Sequence, residues 1–226
     1  MAEQLHSGAA QLPKMEEGQK QLILACSSDR GLCGAIHSSV SKIARLAARE
    51  SPSTTAIAVL GDKSKTQIAR DARKNIILSF SGVGKNVPTM LDSISILQTI
   101  KEHGGLEHKP NRVSIIYNRF RSVIAYEPMM VSVPTLADLK ASPKLAAYEF
   151  EDEALENYAD FLLVSRLTWA LVEGYASEMS AKRTAMENAS KNAGEIAEGL
   201  LMKYNRTRQS VITNELVDII TGASAL

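Results

Sequence analysis

The sequence predicts an α/β fold: an open, mostly parallel sheet with flanking helices, followed by one long C-terminal helix carrying a coiled-coil face. Three observations carry this expectation. Short apolar runs alternate with helix-period segments over residues 21–103, the pattern of parallel strands joined by crossover helices. After Gly104-Gly105 the period shortens to that of two adjacent strands. From Glu151 to Leu226 there is no proline, and helix formers dominate.

Taken in order, Gln21–Ser27 (QLILACS) is an apolar run suited to a buried strand, and Asp29–Gly34 makes the turn after it. Ile36, Val40, Ile43 and Leu46-Ala47 then recur at helical spacing, ending near Ser51-Pro52. Thr55–Leu60 reads as a second strand, and Gly61-Asp62 opens a helix through Gln67 and Ile68. Asn75–Phe80 is a third strand, Ser81–Gly84 a loop, and Thr89–His103 a helix with Leu91, Ile94, Leu97 and Ile100 in step. Arg112–Asn118 and Ser122–Val133 predict a hairpin joined near Arg119–Arg121, closing the sheet with an antiparallel edge. Thr135–Glu149, preceded by Pro134 and holding Pro143, predicts a linker, so the body spans 21–150 and the helix 151–226.

An unbroken helix from Tyr158 to Gly222 reaches about 100 Å at 1.5 Å per residue, far more than covering the sheet requires. Its face is informative. Met179, Lys182, Met186, Ala189, Ala193, Ile196 and Leu200 step alternately by three and four. That is the narrow seam of a left-handed coiled coil, with alanines where helices approach closely. An ordinary core-facing stripe is the plainer reading of such periodicity, but the proline-free length favours a shaft. A seam needs a partner helix, and Met1–Gln19 is too short and too polar to supply one of matching length.

Composition narrows the function classes. The chain has 26 basic and 25 acidic residues, so no global field argues for nucleic acid. Cys26 and Cys33 are too few for a disulfide framework and read as reduced thiols. His6, His37, His103 and His108 form no metal-binding spacing. No apolar run approaches the roughly 20 residues of a membrane span. The opening Met1–Lys20 resembles neither a signal nor a transit peptide, so any address is expected to have been removed or to lie upstream.

Local motifs favour structural readings. Gly82-Val83-Gly84-Lys85 lacks the four residues between glycines and the Ser/Thr that a phosphate loop requires, since Asn86 follows the lysine. Asp29–Gly34 offers amides at a helix start, but no second phosphate anchor follows. A helix start would lower the Cys33 pKa, yet the expected arrangement is a buried thiol beside a surface histidine, His37. Lys182, Arg183, Lys191, Arg206 and Arg208 interleave with Glu178, Glu187, Glu195 and Glu198 as a solvated face. No catalytic constellation emerges.

The C-terminal stretch Ile212–Leu226 resembles the signature of the γ subunit of rotary ATP synthases: Ile212-Thr213, then Glu215, Asp218 and Gly222-Ala223. Ser180–Ala193, Tyr204–Gln209 and Ser28–Gly34 are similar to other stretches of that family, and Ser190–Gly194 is similar to its mitochondrial branch. The resemblance implies a Rossmann-like body on a shaft helix, without the family's long N-terminal helix, of which residues 1–20 would be a remnant. It implies a rotor component that couples proton-driven rotation to ATP synthesis. Its partners would be the α and β subunits of the head, small δ/ε-type stalk subunits and the membrane c-ring. It implies no cofactor, no nucleic acid, and peripheral placement on the matrix side of the mitochondrial inner membrane through the complex. Lys182, Gln209, Thr213 and Glu215 match family positions nearest the β contacts, and the last three are expected on one side of the helix. The competing expectation is a small-molecule- or nucleotide-binding α/β domain with a helical oligomerisation tail, its site at Asp29–Gly34 and Ser81–Lys85.

Overall fold

Strand β1 (Gln21–Cys26) is buried along its whole length, which requires a central place in a sheet covered on both faces. The computed structural model, which describes residues 20–103, 110–143, 148–149 and 151–224, gives it that place. The elements run β1, α1 (Ile36–Glu50), β2 (Thr55–Leu60), α2 (Asp62–Ala72), a 3-10 turn (Arg73–Asn75), β3 (Ile76–Phe80) and α3 (Met90–Glu102). They continue with β4 (Arg112–Ser122), β5 (Ala125–Val133), α4 (Leu136–Lys140) and α5 (Asp152–Ser224). The sheet order is β3-β2-β1-β4-β5. The first four strands pair in parallel, and β5 pairs antiparallel with β4. Pro128 sits on that edge strand, where a missing N–H is tolerated.

Two cores flank the sheet. Ile23, Ala25, Ile57, Val59 and Ile116 face α1 and α2 through Val40, Ile43, Ala44, Ala47 and Ile68. On the other face Leu22, Leu24, Leu60, Ile115 and Tyr117 meet Ile96, Leu97 and Ile100 of α3 and Leu163, Leu167, Ala170 and Leu171 of α5. Helix α3 starts on a capping box: Asp92 N–H donates to Thr89 Oγ1, and Thr89 N–H donates to the Asp92 carboxylate at 2.8 Å.

The hairpin differs from the sequence expectation. Strand β4 runs through Arg119–Arg121, and the turn falls at Val123-Ile124. Arg121 pairs with Glu127 on β5 at 2.8 Å, and Arg119 lies 3.9 Å from Glu173 of α5. The basic run that reads as a turn is therefore a pairing strand. The predicted linker contains α4, opened by a second capping box at Thr135 and Asp138; residues 144–147 and 150 lie outside the described residues. So does the expected N-terminal remnant apart from Lys20. The chain divides into a unit ending at Arg183 and a second from Thr184 onward.

Candidate functional site

The second unit is helical through Ser224. Its 41 described residues from Thr184 rise about 60 Å at 1.5 Å each. Met186, Ala189, Ala193, Ile196 and Leu200 are exposed there, with Ile196 63% and Leu200 61% accessible. Met179 and Lys182, at the start of the seam, are half-buried in the first unit. Apolar residues at this spacing have the geometry of a face that can pack against a second helix.

Gln209, Thr213 and Glu215 are exposed. Thr213 Oγ1 donates to the Gln209 carbonyl at 2.8 Å, so these two share a side. Glu215 does not join them. At 100° per residue it lies about 200° from Thr213, which corrects the expectation that one partner surface faces all three. A further face was missed: Ile212, Leu216 and Ile219 are exposed apolar residues of the tip. They sit about 130° around the helix from the seam. The signal is visible once the apolar spacing is followed past Leu200, where the stripe changes face.

In the first unit, the loops at the carboxyl ends of β1 and β3 gather beneath α5. These are the places where open α/β sheets bind ligands. Here the chain itself takes up much of that space. The Asp29 carboxylate accepts from the N–H of Asp62, the first residue of α2, at 2.7 Å and from the N–H of Gly82. It thereby fills the positive end of that helix and takes up an amide of the Ser81–Lys85 loop. Gly84 has φ +79°, and a Cβ there would stand 2.7 Å from Ser28 Cβ, so the loop backbone packs on the Ser28 side chain, and the Asp29 N–H donates to the Val83 carbonyl at 3.2 Å. The cavity left between Ser28, His37, Asn118, Tyr175 and Glu178 is about 30 Å³. That is room for about one water, and a second cavity of about 230 Å³ lies between the Ser81–Gly84 loop, Asn86, Asp92 and Leu171; both fall below the ~300–1,000 Å³ of a ligand pocket.

Burial also corrects the Cys33–His37 reading. His37 is buried rather than on the surface. Its Nε2 lies 2.8 Å from the Arg30 carbonyl, which can only accept, so Nε2 carries the proton and Nδ1 accepts from Ser27 Oγ at 2.9 Å. Cys33 Sγ donates to the Gly31 carbonyl at 3.1 Å and faces Glu178 Oε1 at 3.7 Å. Burial first, then the Glu178 charge and hydrogen bond, push its thiol up to about 11; the helix start does not lower it. Glu178, expected on the solvated face, is 4% exposed. Among the described residues no group of His, Cys, Asp and Glu could hold a metal ion, and no helix is long and apolar enough to cross a membrane.

Comparison with known proteins adds an independent line. A family model described as ATP synthase matches residues 1–226. The mitochondrial ATP synthase subunit gamma of Pichia angusta is 45% identical over 93% of this chain and 77% of its own length. A chain of the Tetrahymena thermophila mitochondrial ATP synthase central stalk and c-ring structure superposes with a TM-score of 0.65 at 26% identity, covering 79% of this chain and 80% of its own. A chain of the Euglena gracilis mitochondrial ATP synthase shares the fold with a TM-score of 0.79 at 21% identity, over 92% of this chain and 73% of its own.

Proposed function

Because the chain belongs to the ATP synthase γ-subunit family, we propose that its α/β body is turned by the membrane rotor and that α5 carries this rotation into the catalytic head. The protein is the central rotor subunit of a mitochondrial ATP synthase, coupling rotation to ATP synthesis. Nucleotide chemistry then belongs to the α and β subunits. This chain's part is mechanical.

The observation that carries the reading is the second unit: an apolar-seamed helix with its side chains presented outward. A rotor works by differential contact. As it turns, each β subunit meets a different face, and only a contact stronger in one conformation than another can shift their balance. The distal helix has the asymmetry this requires, because its seam, its tip face and its polar groups point in different directions around the axis. In this proposal Lys182, Gln209 and Thr213 meet β-subunit loops, while Glu215 meets a different subunit of the ring at the same instant. A partner helix packs on the seam, and the body meets the c-ring and small stalk subunits. The chain thus sits peripherally on the matrix side of the inner membrane. The competing ligand-binding reading has less support, since Asp29, Ser28 and Gly84 take up much of the strand-end crevice and the cavity left at Ser81–Gly84, about 230 Å³, is smaller than a ligand pocket of ~300–1,000 Å³.

Removing Val211–Leu226 in the assembled complex tests the proposal. ATP synthesis coupled to proton flow should fall severalfold, with Thr213→Ala alone doing far less because such contacts are distributed. Unchanged synthesis and head stability after the truncation would refute the role given to the tip.

A further inference from the structure

One turn of α5, Tyr175–Ser180, is held from several directions by loops distant in sequence. On one side stands Arg30, from the turn after β1. Its guanidinium donates to the Lys85 carbonyl in the β3–α3 loop, lies 5.7 Å from the centre of the Tyr175 ring, and donates to Met179 Sδ at 3.5 Å. On the other side, Ser177 Oγ donates to the Asn118 carbonyl at 2.9 Å, and Ser180 Oγ donates to the Val123 carbonyl at 2.6 Å. Between them Glu178 meets Cys33. With 100° per residue, Tyr175 and Met179 fall about 150° around the axis from Ser177 and Ser180. The loops therefore oppose one another across the helix.

This inference rests on the rotor reading. We propose that Arg30 is a positioning residue for torque transfer: with the β4–β5 carbonyls it forms a collar that stops α5 from twisting against the body. A packed apolar face resists separation, and its interdigitated side chains resist part of a roll, but each dispersion contact is weak and non-directional. Directional bonds at a radius, placed on opposing sides, add direct resistance to rotation about the axis, and the collar supplies them. Arg30 suits this task because a planar guanidinium can stack on a ring while its remaining N–H groups donate elsewhere. The Arg30 backbone is itself held: its N–H donates to Ser28 Oγ at 3.2 Å, and its carbonyl accepts from His37 at 2.8 Å. The side chain thus projects from an anchored turn.

The test uses the assembled synthase containing this chain, with a probe on the body and a second on the head. The torsional stiffness of the rotor is read from angular fluctuations at rest. Rotation of the unaltered chain checks the rotor reading separately. Arg30→Ala should lower the stiffness at least twofold, Arg30→Lys should retain an intermediate value through its bond to Lys85 O, and Tyr175→Leu should lower it by a smaller amount. A role in folding alone would shift the unfolding midpoint without altering stiffness far below it. Wild-type stiffness in Arg30→Ala overturns the proposal. If that variant does not assemble, wild-type stiffness in both Arg30→Lys and Tyr175→Leu overturns it.

Discussion

Leu167→Ala probes the junction on which both the fold and the rotor reading depend, the seating of α5 against the sheet. Leu167 is 0% exposed and belongs to the core that joins α5 to β1, β4 and α3. Removing three carbons costs about 2.4 kcal/mol in transfer at ~0.8 kcal/mol per carbon. The cavity left behind raises this to about 2.7–5 kcal/mol, because a site walled by a sheet and two helices collapses poorly. For a chain of this size the melting point should fall by about 5–20 °C, at 2–4 °C per kcal/mol. The single tryptophan makes the assay local: Trp169 lies two residues on, its ring 5.5 Å from Tyr117 of β4. Urea unfolding followed by Trp169 emission therefore reports this contact. Leu200→Ala is the control. It is 61% exposed, and in the isolated chain it should change stability by less than about 0.5 kcal/mol. A loss under about 1 kcal/mol for Leu167→Ala would refute this account of α5 as the wall of the core.

Other expectations follow from single contacts. Asp29→Ala removes the acceptor for the first N–H of α2 and for Gly82, and should cost about 1–2 kcal/mol in urea unfolding. Alkali should destabilise the body: burial pushes Cys33 up to about 11 and Cys26 and Tyr117 up to about 12. Raised acids hold their protons more tightly when folded, so this stability is intact below about pH 9 and is lost as pH rises through 11. Urea midpoints between pH 8 and 12 should fall, and less steeply near pH 10–11 in Cys33→Ala. A peptide helix with complementary heptads should bind Met186, Ala193, Ile196 and Leu200, raise helicity and suppress self-association; circular dichroism and sedimentation unmoved by it would remove the coiled-coil reading of the seam.

The sequence by itself determined what depends on neighbours along the chain. Strand β2 matches its expected bounds residue for residue, and the expected helix Thr89–His103 is α3 with both its caps. The reason is that side-chain period, capping and the absence of proline are local properties. The long helix was legible on the same grounds, as was the family signature at its end. The hairpin was misplaced because Arg119–Arg121 carry charge, which reads as a turn when their partners Glu127 and Glu173 are not in view.

Only the tertiary structure decided the surroundings of individual groups. Cys33 and Glu178 stand 145 positions apart in sequence, yet their contact adds to the burial that raises the thiol pKa. His37 is buried because Ser27 and the Arg30 carbonyl satisfy both its nitrogens. Helix α5 reads as one uniform segment, but its early turns wall the core while its later residues are exposed. Arg30 is an ordinary turn residue until the fold brings Lys85, Tyr175 and Met179 to it. Periodicity tells which face of an element is apolar. What covers that face depends on chain closure over long separations, and this carries no local mark.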